Sequence, residues 1–458
     1  MSAPPSTWRA APLAAWEIAR QRLTGPGASS SAIRSLAVNV AGAGISFAGQ
    51  IVLAHSLGQT GFGVYLFALA VMNAVLVLGK LELDVATTRF LPAYLGSREW
   101  SLAKGFIRWS RRTVFGASLL VSGAGALIVL LIRDRLVERS PFLPGALVAA
   151  CLLLVTSAQL MLNGGQLQSL RWYVASLWPG TVLRPLLLAM TIAILYLASG
   201  DHPSPRTAVL VNTGATILAV ILTARSLRRV RPPEMRAATT ASDKPTWARA
   251  TPGFVALGIG QLVLSQQADL IVVGSLVNVT DSALYGAASA FAFLVLFGQS
   301  SVNFVMAPMI ADLHARNEHD RLQGLLRSVF TANAAVTLPV LAVLIALGPW
   351  LLRLYGSAYV VSYPVMVILC TASAVVALVG ATAGFVLTMT VYQQQAAWII
   401  GGSAAVNIAL TILLTPRFGI IGTATATLLA TLLRCVLLVV FVRRRLNLSV
   451  IPTWRARQ

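Results

Sequence analysis

The sequence predicts an all-α polytopic membrane protein of about 12 transmembrane helices, arranged as two six-helix bundles related by a parallel pseudo-twofold repeat. Three observations predict this. Of the 458 residues, 57% are apolar and only 11% are charged, against roughly 45–50% and 25% in soluble domains. The apolar residues form continuous stretches of about 18 or more, the length a helix needs to cross a bilayer core, and they lack the alternation of barrel strands. Finally, Thr60, Tyr65, Ala68 and Ala70 recur as Thr280, Tyr285, Ala288 and Ala290, each displaced by 220 residues.

Bounded by charge, Pro or Gly, the predicted spans run 33–55, 62–83, 113–132, 143–163, 174–198 and 207–227 in the first half. In the second half they run 253–277, 284–307, 328–352, 361–390, 396–415 and 420–442. An even number of spans puts both termini on one side of the membrane. Twenty-six of the 35 Lys and Arg then fall in the connections on that side, six in the opposite ones, and Lys80, Arg184 and Arg434 within or at the edge of spans. This asymmetry marks the terminal side as cytoplasmic. It also accounts for the net charge of +21 without a nucleic-acid partner, since the cations are dispersed over short loops and no RNA-binding aromatic motif accompanies them.

The organisation follows. Residues 1–32 read as a cytoplasmic amphipathic segment, with Trp8, Leu13, Trp16 and Leu23 interleaved with Arg9, Arg20 and Arg22. No short apolar core with a small-residue cleavage site precedes the first span, so a cleavable leader is not expected. The first bundle spans 33–227, a basic cytoplasmic linker 228–252, the second bundle 253–442 and a basic tail 443–458. Six spans separate the two copies of the repeated motif, so the halves share one orientation.

Four stretches in order along the chain carry a family resemblance: Leu57-Gly58-Gln59-Thr60-Gly61-Phe62-Gly63-Val64-Tyr65 with Arg89-Phe90-Leu91; Asp269-Leu270-Ile271-Val272-Val273-Gly274 with Tyr285-Gly286-Ala287-Ala288 and Pro308; Leu354-Tyr355-Gly356-Ser357-Ala358-Tyr359; and Pro416-Arg417-Phe418-Gly419-Ile420-Ile421-Gly422-Thr423-Ala424. The set resembles the oligosaccharide (O-antigen, Wzx-type) flippases of the multidrug/oligosaccharidyl-lipid/polysaccharide (MOP) exporter superfamily. That resemblance implies a central cavity between two bundles in a bacterial inner membrane. It implies transfer of a polyprenyl-diphosphate-linked oligosaccharide from inner to outer leaflet by alternating access, with a polysaccharide polymerase and glycosyltransferases as partners. The chain departs from the family pattern at Gly79-Lys80-Leu81-Glu82-Leu83-Asp84, where charge alternates with leucine. A peptidoglycan-precursor lipid flippase and a multidrug or organic-cation antiporter of the same superfamily are the rival readings. A membrane-embedded glycosyltransferase or polymerase, from another class, would want an acidic catalytic pair or a large outer loop.

Within that frame the informative residues are ionisable groups at membrane depth, each costing at least ~2.5–3.5 kcal/mol to insert. Arg184 and Arg434 are placed roughly 13–15 Å from the cytoplasmic surface by the helical rise. Their planar forks suit the diphosphate of a lipid carrier, although either could instead snorkel or pair structurally. Asp269 shares a helix face with Gln261 and Ser265 at four-residue spacing. It either neutralises an arginine such as Arg184, the preferred reading, or binds a coupling cation or proton. Asn39, Gln50, Asn73, Asn163, Asn212, Gln299, Asn303 and Asn407 offer amides to sugar hydroxyls or to neighbouring helices. Arg34, Arg89, Arg111 and Arg112 could draw an anionic headgroup inward, or simply serve topology. Pro185, Pro339 and Pro364 are candidate bend points. Cys151, Cys370 and Cys435 read as small core residues, and His55, His202, His314 and His319 form no zinc-like spacing, so no cofactor and no enzymatic site are expected. Reporter fusions at the N-terminus, within 228–252 and at the C-terminus should all report the cytoplasm; termini in opposite compartments would break the twelve-span topology.

Overall fold

The computed structural model describes residues 26–263, 266–296, 318–388, 392–446 and 448–449. Among these it is all-helical, with no strand. Helix α1 (Pro26–Lys80) carries the first two spans as arms of one kinked helix. The kink falls at Gly58, whose φ of 67° and ψ of 170° suit a residue without Cβ. Helices α2 (Leu83–Gly96), α3 (Trp100–Leu131), α4 (Arg133–Arg139), α5 (Leu143–Ser169), α6 (Tyr173–Trp178), α7 (Arg184–Ser199) and α8 (Pro205–Val230) complete the first half. The second half comprises α9 (Pro233–Ala237), α10 (Lys244–Val263), α11 (Gln266–Leu276), α12 (Asp281–Leu296), α13 (His319–Arg353), α14 (Tyr363–Val375), α15 (Ala381–Thr388) and α16 (Gln393–Leu446). In α16 the last two spans again meet at one glycine, Gly419, with φ 59°.

Eight of the described helical stretches are long and apolar enough to cross a bilayer. Two of them, around Gly58 and Gly419, fold into two arms each, and α11 and α12 are shorter apolar helices. The chain is thus a multi-pass membrane protein. Leu119, Leu120, Leu127, Ile128, Leu130 and Leu131 of α3 stay exposed, an apolar surface suited to lipid rather than water.

Three features depart from the predicted spans. The fifth span is interrupted by a π-turn at Pro179–Leu183, and the tenth by another at Val376–Gly380. Of the expected bend prolines, Pro364 sits in the first turn of α14, where a missing N–H costs nothing; Pro339 lies inside α13, and Pro185 follows the π-turn within the continuous helical stretch Tyr173–Ser199. Most of the segment expected as the linker, 228–252, is helical and docked. Its two large apolar residues, Met235 and Trp247, are each only 1% exposed, and Trp247 packs between Phe106 and Trp109 while donating its indole N–H to Tyr94 Oη at 2.9 Å. Residues 1–25, 297–317 and 450–458 lie outside the described residues, and with them most of the amphipathic segment, His314, Pro308 and the end of the tail.

The alternating stretch after Gly79 has a structural explanation. Leu81 and Glu82 adopt positive φ, 51° and 50°, a left-handed conformation that costs non-glycine residues energy. This turn puts Lys80, Glu82 and Asp84 on one side, where Lys80 Nζ reaches Glu82 at 2.8 Å and Asp84 at 3.0 Å. Leu83 points the other way into the core. Removing one member of such a buried cluster strands the others, a loss of about 3–5 kcal/mol. Lys80→Met should therefore lower the thermal unfolding midpoint strongly, whereas Lys80→Met with Glu82→Gln and Asp84→Asn should recover most of it; equal losses in both variants would show that the charges do not act as a unit.

Candidate functional site

A cavity of about 680 Å³ lies where the two halves meet. From the first half it is lined by both arms of α1, by the π-turn and start of α7, and by α8; from the second half, by α11 and α12. The first arm of α1 approaches the π-turn so closely that a Cβ on Gly42 would lie 2.7 Å from the Thr181 carbonyl oxygen. The wide turn and the small residue together seat Arg184 at the cavity wall, as the first residue of α7. A π-turn displaces the residues that follow it from regular helical register, and such turns occur frequently at functional sites.

Arg184 is half-buried. Its Nε donates to Asn212 Oδ1 at 2.8 Å, and Asn212 Nδ2 donates to Tyr65 Oη at 3.1 Å. Asn212 is buried on α8, so one amide joins the cation on α7 to the tyrosine on α1. The terminal guanidinium nitrogens have no hydrogen-bond partner among the described residues. Around this fork the cavity presents the amides of Asn39, Gln50, Asn73 and Gln267 and the hydroxyls of Ser46 and Ser289. No carboxylate lines it among the described residues; Arg184 is the one charged side chain there.

The second half builds a related hub of different charge. Tyr285, the repeat counterpart of Tyr65, is fully buried and donates to Asp269 Oδ2 at 2.8 Å. Thr427 on α16 donates to the same oxygen at 3.0 Å, and Asn407 lies within hydrogen-bonding reach. Asp269 therefore does not form the expected ion pair with Arg184. Each finds a neutral partner within its own half, and the carboxylate does not line the cavity.

Beside the cavity, aromatic rings from both halves pack together in the buried core. Phe47 meets Phe291 edge-on at 5.2 Å and Tyr355 at 6.1 Å, and Tyr355 also meets Phe62 at 6.5 Å. Such contacts are worth about 0.5–1.5 kcal/mol each beyond area burial.

Of the predicted residues, Arg184, Asn39, Gln50, Asn73 and Asn212 come together at the cavity. Arg434 does not: it is half-buried on α16, away from the lining. Arg34 is exposed on the first arm, and Arg89 is exposed with its guanidinium 5.9 Å from the centre of the Phe90 ring; neither lines the cavity. Arg111 and Arg112 line a separate basic pocket. Asn163 bonds Thr223 between helices at 3.3 Å. The side chain of Gln261, together with Ser265, Gln299 and Asn303, falls outside the described residues. The three cysteines are free, and no metal-ligating cluster occurs among the described residues. Sequence reasoning missed Tyr65 and Tyr285 as polar hubs, although their equal positions in the repeat were the available signal.

No protein-family model matches the chain, and no curated protein sequence does either. Solved structures do. An inward-facing multidrug resistance MATE family transporter of the MOP superfamily superimposes with a TM-score of 0.68 at 12% identity, over 91% of this chain and 98% of that one. The lipid II flippase MurJ, in an inward closed conformation, gives 0.68 at 14% identity, over 90% and 87%. The MATE multidrug transporter DinF-BH gives 0.64 at 16% identity, over 93% and 96%. The chain shares the two-bundle, twelve-helix fold of these transporters.

If Asn212 is the link described, Asn212→Leu should strand both Arg184 and Tyr65 and cost about 1–3 kcal/mol for each buried group left unpaired. Tyr65→Phe, which removes one neutral bond, should cost about 0.5–1.5 kcal/mol. Thermal unfolding in detergent reads both; equal losses would contradict the linkage.

Proposed function

We propose that this protein is a flippase that moves a polyprenyl-diphosphate-linked oligosaccharide from the inner to the outer leaflet of a bacterial inner membrane by alternating access, with both termini cytoplasmic. The observation that carries this reading is the cavity's charge: its lining has one cation, Arg184, with its terminal donors free, and no carboxylate among the described residues. A guanidinium in a low-dielectric cavity binds phosphate oxygens through paired, charge-assisted hydrogen bonds. The surrounding amides and hydroxyls match sugar hydroxyls. The fold supports the same reading, since it is shared with a lipid II flippase.

An organic-cation antiporter would need an anion in reach of its cargo, and Asp269 is turned instead to Tyr285 and Thr427. A lipid-linked peptidoglycan precursor carries the same diphosphate and fits the arginine equally well, so the glycan decides between the two lipid cargoes. A polysaccharide polymerase and glycosyltransferases would act on the flipped and unflipped forms of the cargo.

The test is reconstitution in vesicles with lipid-linked oligosaccharide and lipid-linked peptidoglycan precursor, scoring exposure on the opposite leaflet. Arg184→Gln, inserted at wild-type level, should abolish transfer, and Arg184→Lys should retain part of it because the charge survives without the fork. Unaltered transfer by Arg184→Gln would reject the role of the arginine; export of a small organic cation with no lipid transfer would favour the antiporter.

A further inference from the structure

A second concavity, about 560 Å³, lies at the opposite end of the first half from Gly58 and shares no lining residue with the central cavity. Arg108, Arg111 and Arg112 line it from the third and fourth turns of α3, Arg228 from the last turn of α8 and Arg231 from the residues beyond. Among the described residues no carboxylate lies within 4 Å of any of these five guanidiniums; the ion pairs present there are those of Lys80 and Arg321.

Their convergence is imposed by the backbone. Lys104, also at the pocket, donates to the carbonyls of Arg236 at 2.8 Å and Ala238 at 2.7 Å. Ala241 N–H donates to the Ser101 carbonyl at 3.1 Å, and Gly105 leaves no room for a Cβ beside Ala241. These contacts hold residues 236–241 against the start of α3, close one wall of the pocket and bring Arg231 over Arg111. Burial, and then the neighbouring Arg111, Arg228 and Arg236, hold the Arg231 guanidinium below its ordinary range. Its Nε is buried with no hydrogen-bond partner among the described residues.

An inside-positive bias requires cations on this side of the membrane, but it does not require six of them around one hollow with a donor buried and unused. Like charges held together at such cost point to a missing anion. Guanidinium forks favour phosphate oxygens over single-point acceptors, and a pocket of this size accommodates a diphosphate or a phosphorylated headgroup. We propose that this pocket binds a phosphate-bearing anion, presented either by the headgroup of an anionic lipid at that membrane face or by a soluble polyphosphate, and that the bound anion fastens the segment after α8 to α3.

Two arms distinguish the sources. In one, the full-length protein is placed in nanodiscs of zwitterionic lipid doped with cardiolipin, and native mass spectrometry counts the lipid retained. In the other, delipidated protein in detergent is titrated calorimetrically with inorganic pyrophosphate. One probe should bind saturably, and its affinity should fall by about tenfold or more in Arg111→Gln/Arg231→Gln, as expected for the loss of charge-assisted bonds. Arg231→Lys, which keeps the charge and removes the fork, should fall between, and Arg443→Gln with Arg444→Gln, on the last turn of α16, should bind as the unaltered protein does. Retention of cardiolipin alone assigns a lipid, and binding of pyrophosphate alone assigns a soluble anion. Absence of saturable binding by both probes, or equal affinity in the double variant and the unaltered protein, overturns the proposal. Should the double variant fail to elute as a single species, the Arg231→Lys comparison and the weakening of binding by salt decide the matter. Leaflet transfer is not read in this experiment, so its outcome is independent of the flippase assignment.

Discussion

A guanidinium inside a membrane protein must keep its donors occupied by protein or by something the protein admits, because hydrocarbon offers no partner. In this chain Asn212 occupies one donor of Arg184 and leaves the rest facing a cavity. That division sets much of the surrounding structure. The amide must itself be buried and anchored, which Tyr65 does from α1. The cation must emerge at the wall and not in a helix contact, which the π-turn and Gly42 arrange.

The fold was largely legible because the bilayer is a demanding solvent. Spans of the required length, bounded by charge, leave few alternatives to helices, and the turns at Gly58 and Gly419 fall between spans as expected. What escaped sequence reading depended on packing. A π-turn at Pro179–Leu183 has no composition of its own. The segment after α8 looked like a solvated basic linker because its cations outnumber its anchors, yet Met235 and Trp247 suffice to dock it.

The site was legible in part for the same reason. Depth can be counted at 1.5 Å per residue, so Arg184 and Arg434 seemed equivalent. Which side of its helix a residue occupies relative to a neighbouring bundle cannot be counted in that way, and only Arg184 faces the cavity. Likewise the sequence marked Asp269 as a charge in need of company but did not specify whose. Opposite charge was the natural choice, and two hydroxyls supplied the need instead.

The repeat matches Tyr65 with Tyr285 but gives them unlike company: one closes a chain that begins at a cation, the other donates to an acid. The two copies thus share a scaffold and differ in the polar partners it holds. A conveyor whose halves were interchangeable could grip its load in either of two orientations related by the symmetry axis. Here the one charged group of the described lining lies on a single copy, so the chamber between the copies has two chemically unlike walls.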